Sequence, residues 1–373
     1  MVVCSRRECG EVIMFSKKNI VVFSVGFIFA AGSLFGLSHT NAQQNVESKI
    51  VSPAPTPTPV IDEEEGVIKV ETEGVNVLFT AQDKDRRLLL NLKPEDVKIF
   101  ENGQAQAISS FSRQVDLPLS LAILIDTSIS QQRTLPEEKS AAISFIESVI
   151  RPEKDEVSII SFTGETTLEQ GMTNNTSRLR RAIDRVEFVP PSGYIGGGVL
   201  AGGTPPISGR NQQTQGSTAM WDALWVTSEE VLGPAPERTR RAIILLSDGV
   251  NTFGQKKLDD AVQAAQKSEA VIYCIGVGDE FYGGVDKGVL NKISERTGGR
   301  AYFPRDENEL RQAFKQIQEE MRSQYLLAYE PTNPALDGSY RKIEIQVANP
   351  ELQKQKVKVT HRQGYFSKTA NKK

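Results

Sequence analysis

The spacing of apolar and polar residues in the middle of the chain differs from the spacing in the segments on either side of it. Over residues 117–325, continuous apolar runs such as 119–125 and 242–246 alternate with stretches whose apolar residues recur at helical spacing. Such runs are typical of parallel strands that are covered on both faces, and strands alternating with helices indicate a doubly wound sheet. The pattern therefore predicts an α/β domain, in which a mostly parallel sheet carries helices on both faces.

The individual elements of this domain follow from the same periodicity. Strands are predicted at 119–125, 157–162, 242–246 and 270–277. Helices are predicted around 142–150 and at 177–186, 218–232, 258–267, 288–297 and about 307–322. Ligands of a doubly wound sheet bind outside the carboxyl ends of its strands, so functional residues are expected at that edge.

Shorter strand patterns flank the α/β domain. Strands are predicted at 67–72, 75–80 and 97–100 before it, and at 341–347 and 355–360 after it. Asn102-Gly103, between apolar runs, is a strong hairpin signal. We expect residues 67–116 and 326–373 to form one small β module into which the α/β domain is inserted.

The first 66 residues have the pattern of an export segment and a linker. Two lysines precede an apolar stretch over 20–37, and small residues lead to Ala42, which predicts a signal peptide over 1–42. An uncleaved anchor is the competing interpretation, because about 18 apolar residues can just span a bilayer. Residues 43–66 are rich in proline and then acidic, as in a linker. Both interpretations predict an exported body, periplasmic or at the cell surface, with a membrane contact only if the anchor is retained.

Composition excludes several kinds of protein. The chain has 44 Lys and Arg against 47 Asp and Glu, a net charge of −3, which argues against a nucleic-acid-binding protein. Two histidines, His39 and His361, cannot build a His-rich zinc site, and three cysteines form neither a Cys₄ cluster nor a disulfide framework. Cys274 lies in an apolar run, which predicts a buried strand residue and not a reactive thiol.

Hydroxyl and carboxylate residues recur where the predicted strands end. Asp126, Ser128 and Ser130 follow the first strand, Thr218 opens a helix, and Asp248 follows the strand at 242–246. Taken alone, each has an ordinary local role as a turn residue or a helix N-cap. Together they fall at one edge of the sheet, and two carboxylates with three hydroxyls form an oxygen-only set suited to Mg²⁺ or Mn²⁺. Because two carboxylates leave the cation under-neutralised, it should attract an incoming carboxylate.

This arrangement resembles the von Willebrand factor A (VWFA) family, whose metal-ion-dependent adhesion site has the pattern Asp-x-Ser-x-Ser, a distant Thr and a distant Asp. All five residues are present in the family order, and the resemblance covers about residues 117–325. The flanks resemble an exported bacterial group of this family, through Glu101-Asn-Gly-Gln-Ala-Gln-Ala-Ile108 and Gln324-Tyr-Leu-Leu-Ala-Tyr329. The resemblance implies a metal-dependent binding or adhesion protein with a doubly wound fold.

For the site, the resemblance implies a divalent cation held mainly by Ser128, Ser130 and Thr218. Asp126 and Asp248 would act directly or through waters. An acidic side chain of a protein or peptide partner would complete the coordination shell.

Two features depart from the family pattern. Ile129 replaces the glycine often found between the two serines, which leaves every ligand in place. The segment 190–216, with eight glycines and four prolines, is longer than expected before the threonine. We interpret it as a loop beside the metal that either shapes the choice of partner or is disordered.

Two alternatives to a binding protein remain from the residues alone. A metal-dependent hydrolase would use the same oxygen ligands, and a metal-free structural scaffold would use none. The motifs supply no second metal site and no general base, since His361 belongs to the β module. Ser128 and Ser130 also lack a histidine partner for nucleophilic catalysis. The sequence therefore favours a binding protein that is not an enzyme.

Overall fold

The computed structural model describes residues 74–113, 116–190, 194–196, 199–200, 217–236 and 238–369. The predicted signal peptide, the linker and the strand at 67–72 lie outside these residues, as does most of the segment 190–216. The chain divides into two units, and every described residue belongs to the second one, Ile68–Lys373. Each helix in the described ranges is too short or too polar to cross a lipid bilayer.

The described residues contain sixteen strands and seven α-helices. The strands are β1 (Val75–Gln82), β2 (Val97–Glu101), β3 (Gln104–Gln106), β4 (Ile108–Arg113), β5 (Leu119–Asp126), β6 (Glu156–Phe162), β7 (Thr166–Thr173), β8 (Tyr194–Gly196), β9 (Val199–Leu200), β10 (Arg240–Ser247), β11 (Ala270–Gly276), β12 (Ala301–Tyr302), β13 (Tyr325–Tyr329), β14 (Tyr340–Val347), β15 (Lys358–His361) and β16 (Gly364–Phe366). The helices are α1 (Leu135–Val149), α2 (Thr176–Arg185), α3 (Met220–Val226), α4 (Leu258–Lys267), α5 (Lys287–Thr297), α6 (Glu307–Arg322) and α7 (Pro350–Lys354).

A six-stranded sheet in the order β12-β11-β10-β5-β6-β7 forms the centre of the α/β domain. Its strands are parallel except β7, which pairs antiparallel with β6 at the edge. All eight residues of β5 and of β10 are buried, as their continuous apolar sequences predict. Helices α1, α2 and α6 cover one face, and α3, α4 and α5 cover the other. The predicted fold class is confirmed.

The segments before and after the α/β domain pair with each other in two antiparallel sheets. One has the order β15-β1-β13-β4 and the other β16-β14-β2-β3, so each contains strands from both ends of the described chain. Their inner faces share one core, which includes Phe79, Ile99 and Leu327. The predicted β module is therefore present.

The Asn102-Gly103 hairpin forms as predicted. It joins β2 to β3, and both residues have positive φ angles, 49° and 85°. Glycine reaches this left-handed region without a Cβ penalty and asparagine tolerates it, which is why the pair is favoured in two-residue hairpin turns.

Several elements differ from the predictions, among them short strands that were not predicted and the three described next. The strand predicted at 355–360 begins only at Lys358, because helix α7 precedes it, with Pro350 in its first turn and Asn349 capping its N-terminus. The helix predicted at 218–232 begins at Met220 and continues with π-helical hydrogen bonding over Thr227–Leu232. Strand β7 was not predicted, because a half-exposed edge strand shows neither a continuous apolar run nor a clean alternation.

A buried ion pair joins β14 to β2 within one sheet of the β module, and a tyrosine of the other sheet is hydrogen-bonded to it. Arg341 donates from Nη1 to Oε1 of Glu101 at 3.2 Å, and both side chains are only 3% exposed. The hydroxyls of Tyr329 and Tyr365 donate to the other oxygen of Glu101 at 2.7 and 2.9 Å. Burial and the neighbouring Glu101 carboxylate raise the pKa of Tyr365 to about 12, so both hydroxyls stay protonated as donors. Strands that are far apart in the sequence are thereby joined through one carboxylate.

Candidate metal centre

Two neighbouring parallel strands deliver the acidic residues of the candidate site. Asp126 is the last residue of β5, and Asp248 directly follows Ser247, the last residue of β10. The strands are paired in register, with Ile125 opposite Leu246, so their carboxyl ends lie side by side. Topology alone therefore brings the two aspartates to the same edge of the sheet.

Hydrogen bonds join four of the five predicted residues. The Asp126 carboxylate accepts from the backbone N–H of Ser128 at 2.9 Å, and the two hydroxyl oxygens of Ser128 and Ser130 are 3.1 Å apart. Ser130 in turn is hydrogen-bonded through its side chain to Asp248. A short 3-10 helix, Ile129–Gln131, holds the serines directly after β5.

Thr218 is held at the same edge through its backbone. Its N–H donates to the Thr252 hydroxyl at 2.9 Å, and its carbonyl accepts from Thr252 N–H at 2.9 Å. The carbonyl of the preceding Ser217 accepts from the hydroxyl of Thr163, which directly follows β6. Every hydrogen bond that holds Thr218 within the described residues uses its backbone, so its hydroxyl is not engaged by the other four site residues.

The site contains two acidic side chains, Asp126 and Asp248, and no positively charged residue among the five predicted ones. Asp126 is fully buried, and burial together with the nearby Asp248 carboxylate raises its pKa to about 7. Burial also raises the pKa of Asp248. A divalent cation among these oxygens would supply the missing positive charge, so the residues present fit such an ion. In the described part of the chain no three His, Cys, Asp or Glu side chains gather as a metal site, which leaves this mixed set of hydroxyls and carboxylates as the candidate.

The structure adds supporting residues that the sequence did not indicate. The Ser247 hydroxyl donates to the second oxygen of Asp126 at 2.7 Å. Gln131 donates from its amide to the hydroxyl of Ser130 at 3.4 Å and to the carbonyl of Val277 at 3.1 Å, which ties the serine loop to the end of β11. The position of Ser247, directly before Asp248, was visible in the sequence, but its partner across the sheet was not.

Gly278 allows a close approach of backbone to the site. A Cβ atom added there would lie 2.8 Å from Cβ of Asp248, a contact too short to be accepted without movement. A glycine after β11 therefore lets this strand end pack directly against the loop that carries Asp248.

Glu138 is a further acid behind the site. It lies on α1, is 0% exposed, and neither carboxylate oxygen has a hydrogen-bond partner within the described residues. Burial raises its pKa to about 8, and the carboxylates of Asp126 and Asp248 contribute to the shift. The sequence did contain a signal: Glu138 occupies the apolar face of the helix, three residues after Leu135 and four before Ala142.

We expect Glu138→Gln to stabilise the protein at neutral pH in a metal-free buffer. The folded-state pKa of about 8 exceeds the ordinary glutamate value of 4.5, so the carboxyl of the unfolded chain ionises first and the free energy of unfolding falls as pH rises from about 4.5 to about 8. Glutamine does not ionise and so avoids this loss. Relative to the wild type, the free energy of unfolding of the variant should be higher at pH 7.5 than at pH 4.5 by roughly 3 kcal/mol.

Denaturant unfolding at both pH values measures this gain. Glu137→Gln is the matched control, because Glu137 is the exposed neighbour on the same helix. An equal effect of Glu138→Gln at the two pH values would contradict the assignment of a protonated acid.

Comparison with known proteins confirms the family resemblance. Residues 207–316 match the family model of the von Willebrand factor type A domain. This segment contains Thr218 and Asp248 and reaches into α6, whereas Asp126, Ser128 and Ser130 precede it. No curated protein matches the chain.

Several solved structures are similar to the chain. Proximal thread matrix protein 1 from the mussel byssus is 18% identical, with a TM-score of 0.44, over 60% of this chain and 51% of that one. A structure of the same mussel protein with a zinc-occupied MIDAS motif is 19% identical, with a TM-score of 0.42, over 59% and 49%. An aerotolerance-related membrane protein from Bacteroides fragilis is 17% identical, with a TM-score of 0.40, over 54% and 100%. The chain spans about half the length of the mussel proteins that it matches.

Proposed function

We propose that this chain, which carries a von Willebrand factor type A domain, binds a partner through a divalent cation held at the carboxyl ends of β5 and β10. The cation is Mg²⁺ or Mn²⁺, because the available ligands are hydroxyl and carboxylate oxygens. The partner is a protein or peptide that offers an acidic side chain.

Each residue of the set has a role in this proposal. Ser128, Ser130 and Thr218 bind the cation through their hydroxyls, and Asp126 and Asp248 bind it directly or through water. Ser247 orients Asp126 through the hydrogen bond between its hydroxyl and the carboxylate. Neutral hydroxyls leave most of the cation's charge uncompensated, and this residual charge attracts the partner's carboxylate.

One observation carries the proposal. Two buried carboxylates lie beside two facing hydroxyls, and burial and their mutual repulsion raise the pKa of Asp126 in the direction that a bound cation would reverse. A scaffold without a metal would have little reason to keep such a set at its core, because buried acids without a partner destabilise a fold.

Binding is favoured over catalysis because no histidine of the described residues lies at the site. Among the described residues His361 is the single histidine, and it lies in β15 of the β module. Its Nε2 accepts from the backbone N–H of Ile345 at 3.1 Å, and its Nδ1 lies 2.7 Å from the carbonyl of Arg362. Both ring nitrogens are thus committed to the β module. The proposal includes export of the domain to the periplasm or cell surface, on the strength of the N-terminal sequence pattern.

Calorimetric titration of the purified chain with Mg²⁺ and Mn²⁺ tests the proposal. We expect saturable binding at one site, tighter in millimolar acetate or with an acidic peptide, because a carboxylate completes the coordination shell. An amide-capped peptide with Gln in place of each acidic residue is the matched control and should have no effect. Absence of binding under all of these conditions would rule out a metal-dependent site, and Mg²⁺-dependent turnover of an ester or phosphoester would favour a hydrolase instead.

A further inference from the structure

A cleft separates the α/β domain from the β module at the edge of the sheet opposite to the metal centre. It has a volume of about 710 Å³ and adjoins a smaller cavity of about 210 Å³, which shares Asn76, Gln266, Glu269 and Arg362 with it. Arg240 and Arg241, the first residues of β10, line this region, whereas Asp248 follows the other end of the same strand. Eight residues of extended strand put roughly 25 Å between the two sites.

The lining of the two cavities is strongly cationic. Of the charged residues in the described part of this lining, one, Glu269, is acidic and seven are basic: Arg238, Arg240, Arg241, Lys267, Arg341, Arg362 and Lys368. The whole chain has a net charge of −3, so this concentration of positive charge is a local feature and does not reflect the composition. A cleft lined by charges of one sign focuses the electrostatic potential within it.

Among the described residues, Arg240 and Arg241 make no ion pair with a carboxylate, whereas Arg341 pairs with Glu101 and Arg362 with Glu269. Arg240 donates to the carbonyls of Met321 and Leu117, and Arg241 donates to the carbonyls of Leu232 and Ala235. These bonds fix the side chains in place but leave their positive charge uncompensated, because a carbonyl carries no net charge.

Arg362 is the basic residue that both cavities share. It is 8% exposed, and its ion pair, at 3.2 Å, is with Glu269, whose side chain is 46% exposed. The Nε atoms of Arg362, Arg240 and Arg341 are buried without a hydrogen-bond partner in the described part of the chain. Because these Nε atoms are buried, the guanidinium groups act on a ligand in the cavities through their charge and not through these donors.

We propose that this cleft binds a small organic anion that carries several carboxylate or phosphate groups. Its volume lies in the range of about 300–1,000 Å³ that is usual for small-ligand sites. The buried arginines provide a fixed positive potential, and the exposed Lys267 and Lys368 at the rim contact the anionic oxygens directly. Phe366, Leu336 and Pro331 line the cleft as well and contact the carbon frame of the ligand. This inference is independent of the metal centre.

Calorimetric titration of the full chain with citrate and with pyrophosphate, in metal-free buffer, tests the proposal. We expect saturable one-site binding with a Kd below about 1 mM, and the tighter of the two probes identifies carboxylates or phosphates as the preferred groups. Because exposed charges contribute little individually, Lys267→Gln with Lys368→Gln should weaken binding roughly three- to tenfold. Lys315→Gln, an exposed lysine on α6, is the matched control.

A substitution that should tighten binding distinguishes a specific effect on the cleft from a general loss of folding. Glu269→Gln removes the carboxylate that competes for Arg362, so it should tighten binding while the lysine substitutions weaken it. Binding of both probes should also survive Asp248→Asn, which alters only the distant metal centre. No saturable binding of either probe up to about 10 mM, or equal affinity in all the cleft variants, would overturn the proposal.

Discussion

Replacing Asp126 with asparagine is expected to abolish Mg²⁺ binding while leaving the fold intact. Asparagine keeps an oxygen to accept the N–H of Ser128 and an amide group to face the Ser247 hydroxyl, so only the negative charge is lost. Even the outer partners of metal ligands are worth about 10- to 100-fold in metal affinity. Loss of one of two carboxylates should therefore weaken binding by more than about 100-fold.

Thr218→Val is expected to weaken Mg²⁺ binding to the same extent, by removing a hydroxyl ligand and not a negative charge. Valine has the shape of threonine without its hydroxyl, and the hydrogen bonds that hold Thr218 within the described residues use its backbone. The substitution thus removes a proposed ligand and leaves the local framework in place. Retention of wild-type affinity in Thr218→Val would exclude this residue from the coordination shell.

Asp286→Asn provides the control for both variants. Asp286 lies at the same edge, where its carboxylate caps α5 by accepting from Val289 N–H at 3.0 Å, and asparagine is an equally good cap. It should bind Mg²⁺ with close to wild-type affinity, because the Asp286 charge is only a minor cause of the raised pKa of Asp248. Thermal unfolding gives the second readout, because a cation at 100 times its Kd stabilises the folded state by about 2.7 kcal/mol. The wild type and Asp286→Asn should gain this stability on addition of Mg²⁺, and the two site variants should not.

The arrangement of the site was predictable where it follows from strand order. Asp126 and Asp248 each directly follow the buried core of a predicted parallel strand, and such strands end at one edge of a sheet, so their proximity needed no knowledge of side-chain packing. Thr218 was harder to position, since it belongs to a loop and its backbone is held by Thr252 and by the segment after β6. The periodicity of apolar residues predicts strands and helices but does not indicate which loops contact each other.

Residues that act across the sheet or between modules were not predictable from local patterns. The bond from Ser247 to Asp126 spans 121 positions in the sequence. The cationic cleft combines the starts of β10 and β11 with residues of the last 43 positions, and although both groups are basic in the sequence, nothing in their local patterns shows that they face each other. A single sequence gives no measure of which distant segments face each other, so charge that accumulates at such a junction appears only in the folded chain.

The two sites lie at opposite ends of the same strand for a structural reason. The β module pairs β1 with β13, the strand that follows α6, so it is anchored where the chain enters and leaves the α/β domain. Entry and exit lie at the amino ends of β5 and β10, since Arg240 at the start of β10 donates its backbone N–H to the carbonyl of Pro118 and its guanidinium to the carbonyl of Met321 near the end of α6. The β module therefore lies at the amino ends of the strands, opposite to the carboxyl ends that carry the candidate metal centre.

Glu101→Ala is expected to destabilise the β module by about 3–5 kcal/mol, the usual cost of removing one partner from a buried ion pair. It would leave Arg341 buried without its carboxylate and deprive the hydroxyls of Tyr329 and Tyr365 of their acceptor. Because the chain's two tryptophans, Trp221 and Trp225, belong to the α/β domain, amide hydrogen exchange is the better probe of the module. Amides of β2 and β14 should exchange more than about 100-fold faster in the variant, whereas those of β5 and β10 should change little.

A double variant separates the loss of the ion pair from a general loss of packing. Replacing both partners, Glu101→Leu with Arg341→Met, removes the buried guanidinium charge that Glu101→Ala leaves unpaired. Apolar replacement of a whole buried ion pair is often neutral or stabilising. It should therefore recover most of the protection lost in Glu101→Ala. Glu344→Ala, on the exposed face of β14, is the matched control and should cost less than about 1 kcal/mol. If Glu101→Ala cost no more than this control, Glu101 would be a replaceable residue, and the two sheets would be held together by their apolar core alone.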